Sequence, residues 1–218
     1  MVLSWRKRKA FPLLAISWFL GSAPAETLAQ SHSDLQIPGN SSIYAHSGQN
    51  GGRGSTAAID IPLEPCQRRV MHIRNVSGRI GCCGISNNGA DGRPTRSVFN
   101  VKSTNGLSGW RAKRGISLVG VFHATTDTDL SPPEPIDYAS IGFDSPSYSP
   151  ELNQVFFIGN GRSESLAKRQ FFHVPEDAAS LSLGIIDREL NSIPGAYHDN
   201  PGRLELDIIV EGCTIPIS

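Results

Sequence analysis

The segment whose side chains best suit chemistry runs from Asp187 to Gly202 and reads DRELNSIPGAYHDNPG. Side-chain oxygens stand at Asp187, Glu189, Asn191, Ser192, Asp199 and Asn200, and Pro194, Gly195, Pro201 and Gly202 supply tight turns between them. Calcium takes six to eight oxygen ligands, including carbonyls that irregular backbone exposes, so this composition suits it. An EF-hand is excluded: position six from Asp187 is Ser192 rather than Gly, and position twelve is His198 rather than Glu. The same residue types also make an ordinary polar turn, which is the competing reading. Elsewhere catalytic patterns are missing. The chain has no G-x-S-x-G, no H-E-x-x-H and no P-loop, and its six histidines stand singly at 32, 46, 72, 123, 173 and 198. No pair of carboxylates has a spacing that singles out an acid and a base.

The loop lies between the two clearest strands. Leu204, Leu206, Ile208 and Val210 alternate with Arg203, Glu205, Asp207 and Ile209, and Leu181, Leu183 and Ile185 alternate with Ser180, Ser182 and Gly184. That period of two marks strands with one face buried. Shorter β-rich runs occupy 69–76, 116–123, 154–159 and 170–174, with Gly, Pro, Asn and Asp clusters between them. No stretch of helical length carries a 3.6-residue period, so the fold class expected is all-β, a jelly-roll-like β-sandwich. Residues 26–42 are polar without periodicity and read as an N-terminal tail ahead of a domain at 43–218. The Gly-rich residues 46–56 read as loop. Residues 125–153 read as a long Pro/Ser/Asp-rich insertion, functional or disordered.

The 218 residues suit one domain of moderate size, and 22 Gly, 15 Pro and only 18% charged residues argue against a coiled coil or helical bundle. The start of the chain has the order of a signal peptide. Arg6 to Lys9 form a basic region, Phe11 to Leu20 an apolar run, and Ala23-Pro24-Ala25 a cleavage site. The apolar run is too short to span a bilayer. Removing residues 1–25 leaves 16 Lys+Arg against 20 Asp+Glu, a net charge of −4. The expectation is therefore a secreted protein, extracellular or periplasmic, with no membrane span and no nucleic-acid partner. Export favours disulfides, and the cysteines are Cys66, Cys82, Cys83 and Cys213. Adjacent cysteines have Cα atoms only ~3.8 Å apart, so Cys66 and Cys213 are each expected to bridge to one of the vicinal pair.

Residues 155–208 resemble the calcium-dependent, galactose-binding lectin family of the PA-I galactophilic type and related lectin-like domains of secreted bacterial proteins. The shared order is a strand ending in Ile158-Gly159-Asn160, a strand closing on Val174-Pro175, and an Ala178-x-x-Leu181-x-Leu183-Gly184 strand ending in Asp187. Pro194-Gly195-x-Tyr197, the pair Asp199-Asn200, Gly202 and a final alternating strand follow. Upstream, Gly89-Ala90-Asp91-Gly92 looks like the family's Gly-rich loop, and Ser117-Leu118-Val119-Gly120 like its central strand. The resemblance implies calcium held by Asp187, the Ala196 carbonyl, Asp199, Asn200 and a carbonyl near Gly81 or Cys82, with two sugar hydroxyls ligating the ion directly. Asp91, Arg96 and His198 would be the sugar-contacting side chains. Six residues separate Asp187 from Pro194, more than the family shows, so Asn191 or Ser192 are alternative occupants of that metal position.

The function expected is a binding module rather than an enzyme, with Ca2+ as cofactor and a galactose-like or other glycan as partner. The alternatives are a calcium-stabilised structural or adhesion domain without sugar, and an exported hydrolase centred on 125–153. The sequence sets no oligomeric state.

Overall fold

A computed structural model describes residues 27–125 and 131–214. Residues 1–25, where a signal peptide is expected, and residues 126–130 of the 125–153 segment lie outside the described residues, as does the side chain of Cys213. Among the described residues twelve strands run in the order β1 (Thr27–Pro38), β2 (Ile59–Pro62), β3 (Val70–Cys82), β4 (Ile85–Asn88), β5 (Arg93–Val101) and β6 (Trp110–Gly115). They continue with β7 (Ser117–Ala124), β8 (Ser147–Tyr148), β9 (Phe156–Phe157), β10 (Phe171–His173), β11 (Ala178–Ile186) and β12 (Gly202–Thr214). A single-turn helix, α1 (Tyr138–Ile141), and short 3₁₀ segments complete the chain. No described helix is long and apolar enough to cross a membrane.

One sheet has the order β1-β12-β3-β10-β8 with β4 added to β3; a second has the order β2-β11-β7-β9; β5 and β6 pair separately. All pairings are antiparallel except β8 with β10. The alternation in β12 is realised, with Leu204, Leu206, Ile208 and Val210 buried. Those side chains join Leu118, Val121, Leu181 and Leu183 of the second sheet in one core, and Phe156 of β9 meets Phe172 of β10 with ring centroids 5.3 Å apart. The arrangement is all-β and consistent with a sandwich. β11 departs from half-burial: Ser182 and Gly184 are buried too, because the 3₁₀ segment Ile43–Gly48 covers its other face. The core does not begin at residue 43.

Two segments behave differently from their composition. The described part of 26–42 is not a tail, since β1 pairs with β12 from Thr27↔Thr214 to Pro38↔Arg203, and Ile37, Ser41 and Ser42 are buried. Backbone pairing supplies what the polar side chains cannot. The described part of 125–153 is neither loose nor laid over the Asp187–Gly202 loop. Tyr138, Phe143 and Tyr148 are buried and form an aromatic layer with Trp110, Phe157 and Phe172. The Tyr138 hydroxyl accepts from Phe157 N–H at 3.0 Å, and β8 joins the first sheet at the end of β3 that begins with Val70.

The disulfide expectation is also corrected. Cys82 and Cys83 are bonded to each other, across the turn from β3 to β4. Cys66 is itself disulfide-bonded, but neither vicinal cysteine is its partner. Cys66 precedes the first residue of β3 and Cys82 is the last of its 13 residues, so about 40 Å of extended chain separates them. The turn passes through left-handed backbone at Cys83 (φ 58°) and Gly84 (φ 74°), the second of which glycine adopts without a steric cost.

Candidate functional site

The end of β11 delivers a charge into the protein. Asp187 is 5% exposed, and its Oδ1 accepts from Arg188 N–H at 2.7 Å while Oδ2 accepts from Asn200 Nδ2 at 3.1 Å. Tyr197 ties the loop back to the strand: its hydroxyl donates to the Ile185 carbonyl (3.1 Å) and accepts from Asp187 N–H (3.2 Å). Asn200 is 3% exposed, donates its backbone N–H to the Tyr197 carbonyl at 3.2 Å, and leaves its Oδ1 buried without a hydrogen-bond partner. Gly195 is required by closeness, since a Cβ there would meet the Asp187 carbonyl carbon at 2.6 Å. Burial pushes the Asp187 carboxyl up to about 6, with help from the nearby negative charges of Asp199 and Glu189 against the two bonds it accepts.

The other wall is the turn between β3 and β4. Cys83 N–H donates to Asp199 Oδ2 at 3.2 Å, and Gly81 N–H donates to the Pro201 carbonyl at 2.7 Å. Thus the vicinal disulfide and the Asp199-Asn200 pair are held side by side. Beyond them opens a cleft of about 540 Å³ lined by the Cys82–Cys83 ring, Asp187, Arg93, Arg96, Phe99 and Arg188. The Arg188 guanidinium lies 4.7 Å over the Phe99 ring, so the cleft's aromatic is covered by a cation.

Asp187, Asp199, Asn200, Cys82 and Arg96 therefore converge on one end of the first sheet. Ala196 is half-buried in the same loop and bridges Arg53. The extra residues between Asp187 and Pro194 form a small hairpin of their own, with Arg188 opposite Pro194 and Glu189 N–H donating to the Ile193 carbonyl at 3.1 Å. Asn191 and Ser192 sit at its tip in left-handed backbone, and the Ser192 carbonyl accepts from Lys102 N–H at 2.8 Å. Asp187, at the base, is the residue that meets Asn200. Two expected sugar contacts lie elsewhere. His198 is exposed on the loop's Arg53 side, where its N–H donates to the Arg53 carbonyl at 3.2 Å and Gly54 packs against it. The Asp91 carboxylate holds Asn160, accepting from its N–H and its Nδ2 at 2.8 Å each. The sequence pattern does not mark Tyr197 as the tie to Ile185, nor Arg93 and Phe99 as cleft residues. Only Arg188, adjacent to Asp187, carried a local signal.

Among the described residues no three His, Cys, Asp or Glu side chains form a group that could hold a metal ion. No protein-family model, no curated protein and no solved structure matches the chain.

Proposed function

We propose that the protein is a secreted, calcium-dependent carbohydrate-binding module of the galactose-type lectin kind, with a jelly-roll-like sandwich and no catalytic role. The observation that supports this most is the buried oxygen cluster, in which the Asp187 carboxylate lies beside the partnerless Oδ1 of Asn200, with Asp199 one residue away. Buried charge and buried acceptors without partners are costly, and a divalent cation satisfies both. Two carboxylates, one amide oxygen and backbone carbonyls of Ala196 and the Gly81–Cys82 turn are oxygen donors of the kind calcium takes. Bound there, calcium would supply a charge to which two vicinal sugar hydroxyls could bind in place of water. Asp187, Asp199 and Asn200 would hold that charge in place. Arg96 and Arg93 offer donors to the remaining hydroxyls from the cleft wall.

The test is a thermal melt of residues 26–218 with excess calcium, then with chelator, followed by galactose. Binding at ~100 times the dissociation constant contributes about 2.7 kcal/mol, a rise of several degrees in the midpoint. The rise should vanish in Asp199→Ala, and galactose should add a further rise only when calcium is present. No shift at millimolar calcium overturns the reading. A calcium shift with no response to any sugar favours instead a calcium-stabilised structural or adhesion domain. That second reading is supported by Phe99, which is 7% exposed and capped by Arg188, and so offers no face for a sugar to stack on.

A further inference from the structure

On β3, ahead of the calcium loop, Arg74 and Asn75 line a cleft of about 450 Å³ whose other wall is the hairpin carrying Asn160, Arg162 and Arg169. Arg162 and Arg169 are cross-strand neighbours in that hairpin, and Gly161 holds it against β3 over Ile73. Three exposed guanidinium groups thus converge, and none of the three is in an ion pair among the described residues. The nearby carboxylates are hydrogen-bonded to other groups, although Asp207, held below its ordinary range chiefly by the Asp34 N–H and Asn75, also feels the Arg74 charge. Asp207, opposite Arg74 across the β3–β12 ladder, accepts from Asp34 N–H and from Asn75 Nδ2, and Asp91 accepts twice from Asn160. Two of the cations lean on a neutral ring instead of an anion. Arg74 Nε donates to His72 Nε2 at 3.1 Å, and Arg169 Nη1 approaches the same nitrogen at 3.5 Å. With Nε2 accepting, the ring proton sits on Nδ1, which is buried without a partner in a residue 1% exposed. Burial, then the charges of Arg169 and Arg74, hold this histidine below its ordinary range against the pull of Glu211.

Clustered like charges repel one another, and planar guanidinium forks match the oxygens of a tetrahedral or planar oxyanion. We propose that this cleft is an oxyanion site for a sulfate or phosphate group, held by Arg74, Arg162 and Arg169. The cleft is larger than the bare ion, so the group belongs to a larger ligand whose uncharged part lies along Ile73 and Val76. This site is separate from the calcium loop and does not depend on it.

The test is amide chemical-shift mapping of 15N-labelled protein at constant ionic strength, with inorganic sulfate, inorganic phosphate, glucose 6-sulfate, glucose 6-phosphate and glucose. Saturable shifts at Asn75, Gly161 and Arg162 are expected with the four anions and not with glucose. The esters should bind more tightly than the free ions, and whichever of sulfate or phosphate ester wins identifies the source of the group. Arg169→Gln and Arg74→Gln should each weaken binding by about tenfold or more, as loss of a charged hydrogen bond does, with the melting midpoint unchanged. Adding a calcium chelator should leave these affinities as they were. Absent shifts, shifts that persist in both variants, or shifts that map to Cys83 and Asp199 instead overturn the assignment.

Discussion

The two ends of β3 each bury a charge, and they do so in opposite ways. Just before the strand begins, Arg69 is 2% exposed, and its Nη1 and Nη2 donate to the carbonyls of Glu64, Pro175, Glu176 and Ala178 at 2.7 to 3.0 Å. Only its Nε lacks a partner. Where the strand ends, Asp187 has two donors, two carboxylates close by and an amide oxygen left alone beside it. The first charge is shared out over backbone that it pins together, so it is a structural fastening. The second is held half-satisfied by residues that would be better served with a cation among them. On the calcium proposal, the difference separates a buried charge that builds the fold from one that the fold keeps for a ligand.

Removing the fastening should give the largest effect. Arg69→Met strands four carbonyls, each costing roughly 1–3 kcal/mol if it stays dry, so a loss of about 4 kcal/mol in urea denaturation is expected. A loss near zero would erase the contrast with Asp187. At the other end the sign is reversed. Asp187 titrates at about 6 in the fold against 3.8 for the free side chain, so the folded state holds the proton more tightly. Its stabilising contribution is therefore full below about pH 4 and is lost as pH rises to about 6, amounting to roughly 2–3 kcal/mol. Asp187→Asn should remove that slope and leave the calcium-free protein at neutral pH more stable than wild type, while abolishing any response to calcium. A variant that melts lower than wild type in chelator would show Asp187 to be a fastening too. Tyr197→Phe sharpens the comparison by cutting the tie and sparing the charge. Losing both bonds of the hydroxyl should cost about 1–2 kcal/mol in the same assay, and a smaller loss would mean that packing alone holds the loop. The smallest effect belongs to Arg53→Ala. Its ion pair with Glu189 is solvent-exposed, at 68% and 31%, and removing it should move stability by no more than about 0.5 kcal/mol.

Legibility in the sequence followed burial on one face. β12 could be read because its inward positions are apolar and its outward ones, Ile209 excepted, polar or charged. β1 could not, since Ile37 is its one buried apolar side chain among those described and register shifts between Leu28 and Gln30 and between His32 and Leu35 break any period. Its strand character comes from β12, which no local window contains. In the 125–153 segment the Pro, Ser and Asp content hid three aromatics five residues apart, Tyr138, Phe143 and Tyr148, which anchor it to the core. The loop that pairs Asp187 with Asn200 was legible because its residues are neighbours in sequence. The bond from Cys83 to Asp199 spans 116 positions, and the guanidinium cleft around His72 joins residues from two distant segments. Spacing carries no trace of either.

The central place of β12 in the first sheet has a bearing on how the chain is made. β12 lies between β1 and β3 yet is the last of the twelve strands in chain order. Until residues 202–214 leave the ribosome, β1 and β3 both lack their main neighbour. Contacts of such long sequence separation close slowly and late. The first sheet thus lacks its central strand for nearly the whole time that these strands are being synthesised.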